Sequence, residues 1–143
     1  MSDLVDNLVS LHTAAIDARN GYREAMREAE GKGLTPLFTE LASVHEQQAN
    51  ELARLLLERG EKPDNDGSFM SVVHKTIMDV RSLFGGLDEG VIPGLIDGEK
   101  RNIDKYDQAL KEAGIADVQD VLRSHRAELS ALVDRMSAMK MKN

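Results

Sequence analysis

The chain has 143 residues, of which 41% are hydrophobic, 30% are charged and 3% are aromatic, with neither tryptophan nor cysteine. This length suits one domain with a substantial core, and the composition is too apolar for a disordered chain and too charged for a membrane-embedded one. The lack of cysteine excludes disulfide scaffolds, thiolate metal sites and cysteine nucleophiles. A net charge of −7 argues against nucleic-acid binding, which needs a positive face.

Apolar residues recur at helical spacing in five segments, beginning close to the first residue. The first helix is predicted to start at a cap formed by Ser2 or Asp3 and to end at the glycines around residue 31. The second helix is predicted to start at Thr35, which precedes a proline suited to the first helical position, and to stop at Gly60. A loop-rich stretch follows Gly60 and separates these two helices from the rest of the chain. The two helices form one predicted hairpin.

The second half of the chain contains three more predicted helices. A shorter one covers residues 68–84, and the next is predicted to be capped by Asp88, with Pro93 kinking or delaying its start. Gly114 ends this helix, and Asp117 is predicted to cap the last one. No segment alternates apolar and polar residues as a half-buried strand would.

The lengths of the connections predict the topology. Tight turns join the first two helices and the last two, which makes the members of each pair antiparallel neighbours. Residues of about 61–87 then span between the two hairpins. We therefore predict an all-α fold, a single domain over residues 1–143, in the form of a ferritin-like up-down four-helix bundle whose long crossover carries a short extra helix.

Several polar residues lie on the apolar faces of the predicted helices, near mid-length. Because mid-length positions of antiparallel helices meet at one level, these residues predict a polar layer across the core. The second helix contributes two of them, the fourth contributes a glutamate and an asparagine at its edge, and the last contributes a histidine and an edge glutamate. In chain order they are His45, Gln48, Glu99, Asn102, His125 and Glu128.

A buried carboxylate normally pairs, takes up a proton or binds a metal, and carboxylate and imidazole ligands suit iron, manganese or zinc. The metal interpretation assigns His45, Glu99, His125 and Glu128 as ligands, with Gln48 and Asn102 around them. The Glu-x-x-His pairs of di-iron bundles are not matched, because His125-x-x-Glu128 runs in the reverse order and His45-x-x-Gln48 lacks the carboxylate.

The first helix also disfavours a di-iron site. Its acidic candidates, Asp17 and Glu24, lie opposite the apolar stripe, whereas His12 and Arg19 lean inward. An arginine at this level repels a metal and can neutralise Glu99 or Glu128. We therefore expect no cofactor and a layer of hydrogen bonds and ion pairs that defines helix register, with a single metal ion as the alternative.

Short motifs along the chain resemble those of a known family. They are Gly21-Tyr22-Arg23-Glu24-Ala25, Ala49-Asn50-Glu51-Leu52, His74-x-x-x-Met78-Asp79-Val80-Arg81, Gly98-Glu99 and Tyr106-x-x-Ala109-Leu110. Their order and spacing resemble the DUF2383 family of four-helix-bundle proteins over roughly residues 4 to 135. This resemblance implies a mainly bacterial protein of the ferritin-like class whose biochemical function is unassigned.

The sequence therefore favours a non-catalytic bundle that acts as an oligomer or binding protein. One alternative is a metal-binding redox or storage protein that uses the polar layer. Another is a stress-related interaction module, with His74 on the crossover helix facing a partner. Self-association is expected through exposed helix faces or the crossover helix. The first residues have no basic, apolar leader, which predicts a cytoplasmic location.

Overall fold

The computed structural model describes residues 3–28, 35–63 and 92–141. These ranges contain four helices and no strand, which confirms the all-α prediction. The helices are α1 (Asp3–Glu28), α2 (Thr35–Leu57), α3 (Ile92–Glu112) and α4 (Ala116–Met141). The helix predicted at 68–84, His74 and the predicted cap Asp88 lie outside the described residues.

The four helices form a bundle in which each has two main neighbours. Helix α1 packs along α2 and α3, and α4 packs along α3 and α2, so that α2 and α3 face each other across the bundle axis. Both hairpins are antiparallel, as predicted. The buried core contains side chains from all four helices, among them Leu8, Phe38, Leu52, Ile92, Leu122 and Leu129.

Side-chain contacts define the direction of each helix. From α1 to α3, Asn7 bonds to Glu112 and Tyr22 bonds to Glu99, so these two helices are antiparallel. Because α1 is antiparallel to both α2 and α3, those two helices run in the same direction. The end of α2 and the start of α3 therefore lie at opposite ends of the bundle, which a short turn could not connect.

Local chemistry explains where the helices begin and end. Helix α3 begins at Ile92 with Pro93 in its first turn, where the missing N–H costs no hydrogen bond. Helix α4 begins at Ala116, and the Gln119 N–H donates to the carbonyl of Ile115, which is therefore the capping position, so the prediction that Asp117 caps the helix is wrong by two positions. Asp117 lies inside the first turn instead, where its carboxylate still faces the positive end of the helix dipole.

The end of α2 is a Schellman motif at Gly60. The Gly60 N–H donates to the Leu57 carbonyl at 3.1 Å, and the Glu61 N–H donates to the Leu56 carbonyl at 3.0 Å. Gly60 has a φ of 77°, in the left-handed region that glycine adopts without strain. Gly60 therefore ends α2, as predicted, because its backbone adopts the left-handed conformation that the motif requires.

Replacing Gly60 with alanine is expected to lower the free energy of unfolding by about 1 kcal/mol. A Cβ at Gly60 would contact no atom within 4 Å, so the penalty comes from the left-handed backbone alone. Gly114 is the matched control, because its added Cβ would also be uncrowded and its φ lies outside the left-handed region. Urea denaturation of both variants tests this, and an equal effect at the two positions would contradict it.

One prediction about α1 is wrong. Helical spacing predicts that Asp17 lies on the face opposite the apolar stripe, but Asp17 is only 5% exposed. The reason is that α1 packs against two helices, so its buried sector is wider than the stripe of leucines and includes His12 and Ile16. Of the described helices, none is both long enough and apolar enough to cross a membrane.

Candidate functional site

Glu99 lies at the centre of the buried polar layer, where side chains from three helices meet. From α2, His45 Nε2 lies 2.8 Å from Glu99 Oε2 and 3.0 Å from Oε1. From α1, the Tyr22 hydroxyl donates to Oε2 at 3.0 Å, and Asn102 Nδ2 donates to Oε1 at 3.0 Å. Both carboxylate oxygens of a fully buried residue therefore have two donors each.

These contacts determine the protonation of Glu99. Burial alone raises its pKa, but the charge that His45 carries when protonated and the hydrogen bonds from His45, Asn102 and Tyr22 lower the pKa below its ordinary value of 4.5. Burial and the Glu99 charge raise the pKa of Tyr22 well above its ordinary value. At neutral pH the carboxylate is thus ionised and the phenol keeps the proton that it donates.

Aromatic contacts hold the His45 ring in place. The ring stacks on Tyr22 with a centroid separation of 5.7 Å and an interplanar angle of 27°, and Tyr22 also packs against Phe38 at 6.1 Å. His45 Nε2 therefore faces Glu99 in one defined orientation. The other ring nitrogen, Nδ1, is buried and has no hydrogen-bond partner among the described residues.

A second cluster surrounds His125 on α4. Its Nδ1 lies 3.0 Å from the Tyr106 hydroxyl, and the two rings meet edge to face at 5.6 Å. Its Nε2 lies 3.3 Å from Glu51 Oε1, outside hydrogen-bond geometry. Gln48 connects the two clusters, because it is one turn from His45 and its Nε2 donates to the backbone carbonyl of His125 at 3.2 Å.

Burial and nearby charges shift the pKa values of two residues in the second cluster, His125 and Tyr106. Burial lowers the pKa of His125, outweighing the opposing effects of Glu51 and Glu128, with a smaller lowering from His45. Burial, followed by the charges of Glu128, Glu51 and Glu99, raises the pKa of Tyr106. Tyr106 therefore retains its hydroxyl proton and can donate it to His125 Nδ1, which leaves the ring proton on Nε2, facing Glu51.

Mild acid is expected to destabilise the fold through His125. Its folded pKa lies below the ordinary value of 6.5, so between the two values the unfolded chain binds more protons and stability falls as pH drops. Glu99 adds a second loss of stability as the pH drops below 4.5, the ordinary pKa of a glutamate. Denaturation between pH 7.5 and 5.5 should show this slope in the wild type and a smaller one in His125→Asn. Equal slopes would contradict it.

The predicted metal ligands fall into two clusters. His45 and Glu99 contact each other, whereas His125 contacts Tyr106 and Glu51, and the half-buried Glu128 acts on His125 through its charge. Within residues 3–28, 35–63 and 92–141, no group of three or more histidines and carboxylates is arranged to hold a metal ion.

The other predicted members of the layer are partly as expected. Asn102 is half-buried at the edge and contacts Glu99, and Gln48 is buried. Arg19 donates to Asn20 Oδ1 at 3.0 and 3.1 Å, whereas Glu99 accepts hydrogen bonds from His45, Tyr22 and Asn102.

Sequence reasoning missed three members of these clusters. Tyr22 and Tyr106 lie on apolar stripes, a position typical of core residues, but their hydroxyls bond to Glu99 and His125. Glu51 lies one turn after the inward-facing Gln48, and this spacing was the one signal that could have included it.

The His45–Glu99 pair has the arrangement of a general base, in which a carboxylate orients one ring nitrogen and the other is free to act. The free Nδ1 belongs to a residue that lines a small pocket, with a volume of about 10 Å³. That volume fits roughly one water molecule and no organic substrate. The geometry therefore favours a structural role for this pair.

Together these features define a four-helix bundle whose core is crossed by a buried polar layer. Residues 3–112 match the family described as Domain of unknown function (DUF2383). Because the match covers more than half of the chain, the protein belongs to this family, and the predicted membership is confirmed. The matched span includes His45 and Glu99 but ends before His125. No curated protein matches the chain.

Proposed function

We propose that this protein is a non-catalytic member of the ferritin-like class that acts by binding other macromolecules, and that its polar layer holds the bundle in register. One observation carries this proposal: both oxygens of the buried Glu99 carboxylate are engaged by side chains of the protein itself. A carboxylate saturated in this way has no lone pair directed at a ligand or substrate.

The register role follows from the position of the pair in the bundle. His45 and Glu99 belong to helices that face each other across the axis, so their contact depends on the height and rotation of both. A displacement of α2 by one turn, about 5.4 Å, would separate them. An unpaired buried charge costs about 3–5 kcal/mol, which disfavours every other register.

The binding role is supported by the exposed apolar side chains. The large ones among the described residues are Val9, Leu57 and Ile115, which are 44%, 60% and 43% exposed. All three lie towards one end of the bundle, where α2 and α3 finish and α1 and α4 begin. This end is the part of the described surface best suited to a protein partner or to a second copy of the chain, and light scattering tests the latter.

A metal-binding role, in redox chemistry or storage, is the second candidate function. The observation that favours it is that His45 Nδ1 and His125 Nε2 are buried ring nitrogens without hydrogen-bond partners among the described residues. A deprotonated imidazole nitrogen is a good ligand for iron, manganese or zinc, and His125 Nε2 becomes one when the ring proton moves to Nδ1. Glu51 and Glu128 supply nearby negative charge.

Elemental analysis separates the two functions. The protein is purified without chelators, and iron, manganese and zinc are measured per chain for the wild type and for His125→Ala. We expect no stoichiometric metal in either protein, and no change of melting temperature when each metal is added. A stoichiometric metal that is lost in His125→Ala would overturn the non-catalytic proposal and support the second function.

A further inference from the structure

The polar layer lies where the two helical hairpins meet. Tyr22 and His45 belong to the hairpin formed by α1 and α2, whereas their partner Glu99 belongs to the hairpin formed by α3 and α4. The hydrogen bond from Gln48 Nε2 to the His125 carbonyl also crosses from the first hairpin to the second. The Glu99 site is therefore complete only when one hairpin of each kind is present.

Each hairpin orients its own half of the layer. The helix backbones approach each other closely along both hairpins and more sparsely between them. Within the first hairpin the Tyr22 ring stacks on the His45 ring, and within the second the Tyr106 hydroxyl lies 3.0 Å from His125 Nδ1. These contacts are internal to one hairpin, so the groups that the other hairpin recognises are oriented before the two meet.

The connection between the hairpins is long enough for pairing between chains. Residues 64–91 join the two hairpins and reach at most about 90–100 Å when fully extended. The bundle is about 39 Å long, because its longest helices have 26 residues. The end of α2 and the start of α3 are separated by about this length. The connection therefore suffices for hairpins that pair in one bundle and for hairpins in two adjacent bundles.

These features identify a second copy of the chain as the binding partner. The surface that His45 and Tyr22 recognise is present on every copy, and its buried carboxylate accepts from both of them. We propose that two copies bind each other by exchanging hairpins, so that His45 and Tyr22 of one copy contact Glu99 of the other. Every contact between hairpins then forms again, and no new surface is needed.

Chain concentration decides between the closed monomer and the exchanged dimer. Both contain the same contacts, so the monomer predominates below the effective concentration that the connection gives the linked hairpin, which is about 1 mM or less. Above that concentration the dimer predominates. The exchange uses the inner faces of the hairpins and not the apolar end that is assigned to partners above, so it does not depend on the proposed function.

Refolding two variants together tests the exchange. His45→Leu and Glu99→Leu each break the pair within one chain, but their exchanged heterodimer has one site with both residues and one site with neither. Because the two residues are coupled, we expect heterodimer at least about tenfold above its statistical proportion, measured by native mass spectrometry. Refolding His45→Leu with Glu46→Leu is the matched control and should give the statistical proportion, since Glu46 pairs within its own hairpin.

Two results of the mixing experiment would overturn the proposal. One is a statistical proportion in both mixtures, and the other is monomer alone at a chain concentration of about 1 mM. If neither leucine variant folds by itself, recovery of helical structure on mixing is the expected result, and failure to recover it would count against the exchange.

Crosslinking provides a second test with the polar layer intact, because the chain has no cysteine of its own. Asn7→Cys/Glu112→Cys places the two thiols on different hairpins, whereas Arg23→Cys/Glu46→Cys places both on the first hairpin. After refolding at about 1 mM and rapid dilution, a short bismaleimide should give covalent dimers with the first pair and covalent monomers with the second. Monomers with both pairs, or covalent dimers with both, would overturn the proposal, and the latter would indicate a dimer formed through the outer surface.

Discussion

Replacing His45 with leucine is expected to lower the free energy of unfolding by about 3–5 kcal/mol, the largest effect predicted for a polar residue of this protein. The substitution removes the His45 Nε2 contact to both carboxylate oxygens of Glu99, which is 0% exposed and cannot be reached by solvent. Tyr22 and Asn102 would still donate to the carboxylate, but each contacts only one of its oxygens. Urea or guanidinium denaturation at pH 7 measures the loss.

A double-mutant cycle shows whether the loss comes from the pair. Glu99→Leu alone should also be strongly destabilising, because it leaves His45 and the Tyr22 hydroxyl without their acceptor. The double variant His45→Leu/Glu99→Leu should lose about 2–3 kcal/mol less than the sum of the single variants. Additive losses would mean that the two residues act separately, against the contact at 2.8 Å.

The surface pair Arg23–Glu46 is the matched control for this cycle. It also joins a basic and an acidic side chain, at 2.7 Å, but both are 45% exposed. Glu46→Leu is expected to change the free energy of unfolding by less than about 1 kcal/mol, since solvent screens exposed ion pairs. A loss as large as that of His45→Leu would contradict the role assigned to burial.

Truncating Leu52 to alanine is expected to lower the free energy of unfolding by about 2–5 kcal/mol. Leu52 is 0% exposed on α2 and belongs to the core shared by the four helices. The loss combines the transfer free energy of the missing carbons with the cavity that the surrounding side chains fail to fill. Thermal and chemical denaturation both measure it.

Leu57 provides the matched control on the same helix. The substitution is chemically identical, but Leu57 is 60% exposed, so Leu57→Ala should change stability by less than about 0.5 kcal/mol. Equal losses at the two positions would show that Leu57 is covered in solution, by a partner or by a second copy of the chain. This comparison therefore also tests the apolar end described above.

Much of the layer could be predicted from residue spacing. His45, Gln48, Glu99 and His125 follow the periodicity of apolar neighbours on their own helices, and all four are buried. Glu128 and Asn102 were predicted at the edges and are half-buried. The prediction for Asp17 was wrong, because the width of the buried sector of α1 depends on how many helices pack against it and not on the sequence of α1 alone.

The sequence by itself determined the four described helices, their approximate ends and most of the polar side chains that face the core, because periodicity, glycine and proline act within one segment of chain. Only the tertiary structure decided which of those side chains meet. His45 bonds to Glu99 across the bundle axis, whereas His125 faces Tyr106 and Glu51, so the predicted single ligand set became two clusters. The physical reason is that partnership depends on the relative height and rotation of helices that are distant in the chain.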